Sequence, residues 1–426
     1  MTAIAPDIIT RNLNPASTGL DCLLIKQRNT SGWLPEIPPP TRSSLPSPPD
    51  AGNIGSGNAL HPQKELSMSY EPDDYLSRHF QASGADLNSK VEELVTLAVP
   101  ANSSNLPLYR EMLTTVTRMA QADRNRWDAK IMLQTLREME QAFSALEQFK
   151  RRRKVTVFGS ARTPADHPIY AMARELGHTL ARLGMMVITG AGGGVMAAAH
   201  EGAGLENSLG FNITLPFEQN ANGTVSGTAH LLSFHFFFLR KLFFVKEADA
   251  LVLCPGGFGT LDEALEVLTL VQTGKSPLVP IVLLDEPGSN YWEQLLAVVG
   301  IQLRDRHYIL PSDMHLVRLV HSVEEAGEEI ARFYGNFHST RWFKGQFVIR
   351  MCHRLSDAAM QQLNREFTDL CVNGGYRQRN ANEQEHDEPE LLNLIRLAFK
   401  FNGRDHGRLR ELVDFINLRQ NWAQNG

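Results

Sequence analysis

Cysteine is scarce in this 426-residue chain: Cys22, Cys254, Cys352 and Cys371 are the four, and none sits in a CxxC pair. That spacing argues against a zinc ribbon or a disulfide framework and fits a reducing, cytosolic setting. Long apolar runs are missing as well. No stretch approaches the roughly 20 residues needed to cross a bilayer, and the amino terminus lacks the charged-then-apolar design of an export signal, so membrane spanning and export are not expected. Nor is there an excess of positive charge. The formal net charge of −5 offers no global attraction to nucleic acid or an anionic membrane, and any basic footprint must be local.

What is present changes along the chain. Residues 1–68 are rich in Pro, Ser and Gly and read as a disordered arm, with one short apolar patch at Asp21 to Lys26. Residues 69–150 turn helical: Met132, Leu136, Met139, Phe143 and Leu146 recur at steps of three and four, a face suited to core or to a dimer seam. This extension ends in "KRRRK", Lys150 to Lys154, whose charges suit the last turn of a helix and could otherwise meet a phosphate.

Over 151–337 the period changes. "KVTVFGS", "MMVITGAGGG", "SLGFNITLP", "ADALVLCPGG", "LVPIVLLDEP" and "HLVRLV" are short apolar runs between helical stretches, most of them closing on Gly or Pro. The pattern predicts a doubly wound α/β domain with a buried parallel sheet, a Rossmann-like fold that binds ligands beyond the carboxyl ends of its strands. Residues 338–426 are expected to be helical again, with "DAAMQQLNREFTDLCV" and "LLNLIRLAFKF" as helices around an acidic link, Asn382 to Glu390.

Two glycine clusters follow predicted strands and open predicted helices: Gly190 to Gly194, and Gly256, Gly257 and Gly259 with Thr260. Such turns let an anion approach bare backbone at a helix N-terminus, and two of them at neighbouring strand ends suit one monophosphate. Better-known phosphate motifs fail. The dinucleotide fingerprint would need glycine where Val195 stands, and a Walker A loop ending at Gly274-Lys275-Ser276 would need glycine at Thr269.

Carboxylates crowd the second cluster. Asp262, Glu263 and Glu266 follow it directly; Thr260 with Glu263 also has the spacing of a capping box, and Asp262 that of dipole compensation. Upstream, Arg240 and Lys241 lie among six phenylalanines in "SFHFFFLRKLFFVKEADA". Arg240 reads as a salt-bridge partner or, if it faces a glycine loop, as a grip for phosphate; Lys241 reads as a solvated helix end.

Together "FFLRKLFFVKEADALVLCPGGFGTLDEALEVLTLVQTGK", "VFGSAR", "TGAGGGVMAAAHEGA" and "LPFEQ" resemble the LOG (Lonely Guy) family over roughly residues 150 to 335, and more closely its larger bacterial branch. The resemblance implies a 5′-monophosphate phosphoribohydrolase that hydrolyses AMP or a cytokinin riboside monophosphate to free base and ribose 5-phosphate, with neither cofactor nor metal. It implies Glu263 as the catalytic carboxylate and Arg240 as its partner. Gly192, Gly193, Gly194, Gly256, Gly257, Gly259 and Thr260 would cradle the phosphate, Glu266 would touch ribose or base, and Ser160 and Arg162 would line the nucleotide site. It also implies a homo-oligomer, a dimer or a dimer-based hexamer, with no nucleic-acid or membrane partner. One departure stands in the first loop, where Ala197 replaces the family's usual glutamate after Met196. A carrier or sensor that binds a nucleotide or molybdenum cofactor without hydrolysis is the alternative on the same scaffold. A decarboxylase using a lysine Schiff base is not supported, because no lysine has a recognisable pocket for it.

Overall fold

The computed structural model describes residues 84–214, 221–382, 385 and 388–424. The arm at 1–68, the Asp21 to Lys26 patch, the LPFEQ segment at 215–219 and residues 383, 384, 386 and 387 of the acidic link lie outside the described residues. By contacts the chain divides into two compact units, Pro40–Gln134 and the remainder. No described helix is long and apolar enough to cross a membrane.

The described part of the smaller unit holds α1 (Gly84–Ala98), α2 (Leu106–Gln121) and the start of α3 (Arg126–Leu146). Arg110 on α2 pairs with Glu92 on α1 at 2.5 Å. No residue of α2 is fully buried.

In the larger unit the second half of α3 leads to β1 (Lys154–Phe158), α4 (Pro168–Arg182), β2 (Met186–Thr189), α5 (Val195–Ala203), β3 (Ser208–Ile213) and β4 (Leu231–Phe234). The chain then returns through α6 (Phe237–Glu247) to β5 (Ala250–Leu253), α7 (Phe258–Gln272), β6 (Ile281–Leu284), α8 (Tyr291–Val299), β7 (Val317–Val320) and α9 (Val323–Phe333). All seven strands are parallel, in the order β4-β3-β2-β1-β5-β6-β7. β1, β2, β5 and β6 are buried along their whole length, which is why they read as short, mainly apolar runs. The strand order reverses between β1 and β5, so a crevice opens at their carboxyl ends. All six expected strands are found; β4 is the addition.

The aromatic helix α6 closes one side of this sheet. Phe243 and Phe244 are buried, Phe244 lying 5.0 Å from Phe158 on β1 and 5.4 Å from Phe211 on β3. Phe143 on α3 meets Phe243 edge-on at 5.2 Å, but its ring remains 42% exposed while Leu146 is fully covered. The α3 stripe is therefore only partly core. The last three residues of the basic run are consumed in folding: Lys154 is fully buried against Glu247 at 3.0 Å, Arg153 pairs with Asp249 and lies over the Tyr334 ring, and Arg152 donates to Asn207 and the Glu206 carbonyl. Burying such a cation is tolerable only with this pairing.

The carboxyl-terminal region corrects the expectation of a helical extension. It forms a second, antiparallel sheet, β10-β11-β9-β8, from β8 (Phe337–Phe343), β9 (Gln346–Met351), β10 (Arg377–Arg379) and β11 (Ile395–Phe399), with α10 (Asp357–Glu366) and α11 (His406–Asn417). "DAAMQQLNREFTDLCV" does hold a helix, but "LLNLIRLAFKF" holds β11. Its Leu and Ile positions satisfy a helical and a two-residue period alike, and Arg396 on the other face is buried because Glu385 of the acidic link meets it at 3.1 Å. Register sets Arg379, Arg396 and Arg350 directly opposite one another on adjacent strands. Such a row is unfavourable unless carboxylates intervene, and Glu385 and Glu388 supply them.

Buried polar bonds join α11 to α9 and to the start of β8. The Asn417 side chain accepts from the Asn336 and Phe337 N–H groups, both at 2.8 Å, and donates to the Phe333 carbonyl at 2.7 Å. Arg410 on α11 reaches Glu329 on α9 at 2.5 Å. The His406 ring fills the space over Gly274, just past the end of α7, where a Cβ would come within 2.6 Å of it.

Candidate active site

Three loops converge where the strand order reverses. The Ser160 N–H, after β1, donates to the Pro255 carbonyl at 3.1 Å, and the Ser160 carbonyl accepts from the Val195 N–H at 3.1 Å. The β1 loop thus bonds to both glycine loops and holds two helix N-termini, those of α5 and α7, side by side. A fourth element steadies the arrangement, because the Tyr291 hydroxyl of α8 donates to the Gly256 carbonyl at 2.6 Å. Tyr291 is missing from the sequence-derived set, and nothing in its local pattern marks it.

The glycines divide into two kinds. Gly194, at φ +58°, and Gly256 are needed for packing: a Cβ on Gly194 would lie 2.3 Å from the Ser160 carbonyl oxygen, and one on Gly256 would lie 2.2 Å from Thr260 Oγ1. Gly257 and Gly259 are exposed, with open space where a Cβ would go. Gly193 is exposed, whereas Gly192 is buried. Substitution should separate the two kinds. Gly194→Ala is expected to lower stability by more than about 2 kcal/mol in a denaturant melt. Gly259→Ala, inside the first turn of α7, should melt at or above the wild-type temperature yet bind a phosphorylated ligand more weakly.

The carboxylates do not cap their helix. α7 begins at Phe258 with Gly257 as its N-cap and no side-chain cap bond, so Thr260 and Glu263 lie inside the helix and the capping-box spacing is unused. Glu263 is 3% exposed, and its Oε2 has no hydrogen-bond partner. Burial raises its pKa to about 7, against the pull of Lys241 and Arg240. Arg240, in the first turn of α6, is half-buried over the rings of Phe237 and Phe244 at 5.0 and 5.6 Å, and its Nε is also unpartnered. Burial lowers its pKa, with Glu263 and Asp262 opposing. Its guanidinium stands beside Gly190, 4.0 Å from where a Cβ would be, at the start of the first glycine loop.

Lys241 is no solvated end. Its ammonium bridges Asp262 at 2.8 Å and Glu266 at 2.7 Å. Burial disfavours that charge, but the two carboxylate bonds outweigh it and hold the pKa above the ordinary lysine value. Asp262, expected only to offset the helix dipole, therefore has a definite partner. Ser160 accepts from the Arg162 N–H at 3.1 Å, and the Arg162 side chain is exposed. The structure thus brings Ser160, Arg240, Glu263 and both glycine loops to one crevice, with Glu266 tied to Lys241 at its edge and Arg162 at the surface.

Buried polar atoms without partners are costly, and each calls for an explanation. Here an unpartnered carboxylate oxygen and an unpartnered guanidinium nitrogen lie beside two glycine turns. A ligand that presents an anion to the turns and develops positive charge near the carboxylate would satisfy all of them.

The chain is similar to several known proteins. A family model described as "Possible lysine decarboxylase" matches residues 193–330. A "Probable cytokinin riboside 5'-monophosphate phosphoribohydrolase" of Oryza sativa subsp. japonica is 31% identical over 207 residues, covering 44% of this chain and 87% of the relative. A "Cytokinin riboside 5'-monophosphate phosphoribohydrolase" of Arabidopsis thaliana is 35% identical over 86 residues, covering 20% of this chain and 38% of the relative. Among solved structures, the molybdenum cofactor binding protein from the phototrophic bacterium Rippkaea orientalis is 22% identical, over 42% of this chain and 94% of that one, with a TM-score of 0.31. That score is too low to bear on ligand or mechanism.

Proposed function

Since the chain belongs to the LOG family, we propose that it hydrolyses the N-glycosidic bond of a nucleoside 5′-monophosphate, AMP or a cytokinin riboside monophosphate, to free base and ribose 5-phosphate. The observation that carries this reading is the buried Glu263 carboxylate with an unpartnered oxygen, one turn inside a helix whose glycine N-terminus is open.

The phosphate sits on the backbone of the two glycine turns, Gly192 and Gly193 in the first and the exposed Gly257 and Gly259 in the second, where two helix N-termini favour negative charge. This fixes the ribose across the crevice, with its anomeric carbon toward Glu263. As the base departs, positive charge grows on that carbon, and a carboxylate held out of water stabilises it more strongly than an exposed one would. The same carboxylate orients the attacking water and receives its proton. Arg240 steadies the phosphate or the charge on the leaving base. Lys241 holds Asp262 and Glu266 in place, so that Glu266 faces the ribose as part of a fixed ion-pair group. As a charged ammonium bound to two carboxylates, Lys241 is the opposite of the desolvated neutral amine that Schiff-base chemistry requires.

The test is direct. Purified protein is incubated with AMP and, separately, with other nucleoside monophosphates, and free base and ribose 5-phosphate are separated by chromatography. Release that depends on Glu263 and ranks the bases is expected. An intact monophosphate recovered after long incubation, despite measurable binding, would overturn the hydrolase and leave a binding protein.

The pH profile carries a second expectation. Water activation needs the ionised carboxylate, and the pKa of Glu263 is about 7 because of burial. The kcat/KM for AMP should therefore climb through pH 7, falling about tenfold for each unit below it. A profile flat from pH 5 to 8 would remove Glu263 from the role of base.

A further inference from the structure

The first glycine loop has a support that no motif describes. His200, on α5, is completely buried, and burial pushes its pKa down to about 4, so the ring is neutral. Its Nε2 lies 3.2 Å from both the Leu209 carbonyl oxygen and Thr189 Oγ1; the hydroxyl can take either role, but the carbonyl can only accept, so this nitrogen carries the proton. The other nitrogen, Nδ1, must then accept, and the Asn222 side-chain N–H₂ is 3.2 Å away. The second hydrogen of that amide donates to the Gly192 carbonyl at 3.1 Å, and the Asn222 backbone N–H donates to the Ala191 carbonyl at 2.8 Å. One carbonyl thereby fixes the direction of the whole series. Ala191 itself lies at φ +60°, a conformation side chains seldom adopt, with its N–H held by Thr189 Oγ1 at 3.0 Å.

The consequence follows from peptide geometry. In a trans peptide the C=O and the following N–H point in opposite directions. Drawing the carbonyls of Ala191 and Gly192 toward Asn222 turns the N–H groups of Gly192 and Gly193 away from it, and two successive N–H groups turned to one side form an anion nest. We propose that His200 and Asn222 are positioning residues for phosphate: His200 sets the orientation of the Asn222 amide, and Asn222 presents the Gly192 and Gly193 N–H groups to the 5′-phosphate. This deepens the hydrolase reading, on which the identity of the ligand rests, but the nest is testable without turnover.

The experiment measures binding of ribose 5-phosphate, AMP and adenosine by calorimetry to wild type, Asn222→Ala, Asn222→Asp, His200→Ala and His200→Gln, alongside kcat and KM for AMP. Asn222→Asp keeps the shape but loses the donor to Gly192, and covers the case in which the alanine variant fails to fold. Asn222→Asp and His200→Ala should weaken ribose 5-phosphate and AMP by roughly 10- to 100-fold while leaving adenosine unchanged. KM should rise by a similar factor with kcat within about threefold. His200→Gln, whose amide can donate to Leu209 and accept from Asn222, should recover most of the affinity. Equal losses for AMP and adenosine, or no change in ribose 5-phosphate binding, would overturn the proposal, as would a wild-type protein that does not bind ribose 5-phosphate. If binding follows this pattern while no monophosphate is cleaved, the positioning role stands and the hydrolase reading falls.

Discussion

Glu263→Gln is expected to slow release of base from AMP on the order of 10³-fold, because it removes both the charge opposite the developing cation and the acceptor for the proton of water. The same substitution should shift the stability profile in a direction that a damaged fold would not. Burial has raised the pKa of Glu263 from 4.5 to about 7, so the folded protein holds this proton more tightly than the unfolded chain. The stability linked to that proton is fully present below about pH 4.5 and is lost as pH rises through 7. Glutamine does not titrate and escapes this loss. The melting temperature of Glu263→Gln relative to wild type should therefore increase between pH 5 and pH 8, by an amount corresponding to on the order of 1–3 kcal/mol. An inactive variant with a pH-independent stability offset would show that Glu263 is ionised at little cost, and that the burial argument is wrong. An active variant would dismiss the residue from the chemistry.

Arg240→Ala is expected to have the next largest effect, about 10²-fold or more in kcat/KM. The guanidinium lies between the start of the first glycine loop and the field of Glu263, half-buried over two phenylalanine rings. A lysine would keep the charge but not the planar stack or the forked donors, so Arg240→Lys should recover only part of the loss. The effect on Glu263 supplies an independent reading. With Arg240 gone, one of the two cations that oppose its raised pKa is lost, and the rising limb of the pH profile should move to higher pH. Loss of activity without that movement would place Arg240 on the phosphate alone.

Much of this arrangement was legible before any coordinates. The six expected strands stood out because both faces of a central parallel strand are covered, leaving little but apolar residues between turn signals. β4 escaped because it is four residues at the sheet edge, with Ser233 exposed and His235 directly after it. The second sheet was misread because Ile395, Leu397 and Phe399 share their stretch with leucines at helical spacing, and because Arg396, which would mark a solvated face, is buried against Glu385 of the acidic link. At the site, Arg240, Glu263 and the glycine turns were visible as residue types suited to a phosphate and a growing cation. Which glycines leave open backbone and which serve packing was not, since that depends on a β1 loop some 35 residues from one turn and almost 100 from the other. His200 and Asn222 were invisible for the same reason. A buried neutral histidine looks like any other histidine in a sequence, and its partner lies 22 residues away.

The junction between the two sheets bears on how this protein can be taken apart. The expected boundary at residue 337 falls on a residue whose own N–H is held by Asn417, eighty positions later, and α11 lays its buried arginine against the glutamate of α9. There is no seam at that point. A chain ending there would uncover the face of α9 that meets α11 and leave Glu329 and the Asn336 N–H without these partners, so the α/β fold cannot be excised as a minimal module. The same junction reaches α7 at its far end through the seat of His406 over Gly274, on the helix that begins at the glycine turn and carries Glu263. Helix α11 of the carboxyl-terminal region is therefore a support for the far end of the helix that carries Glu263.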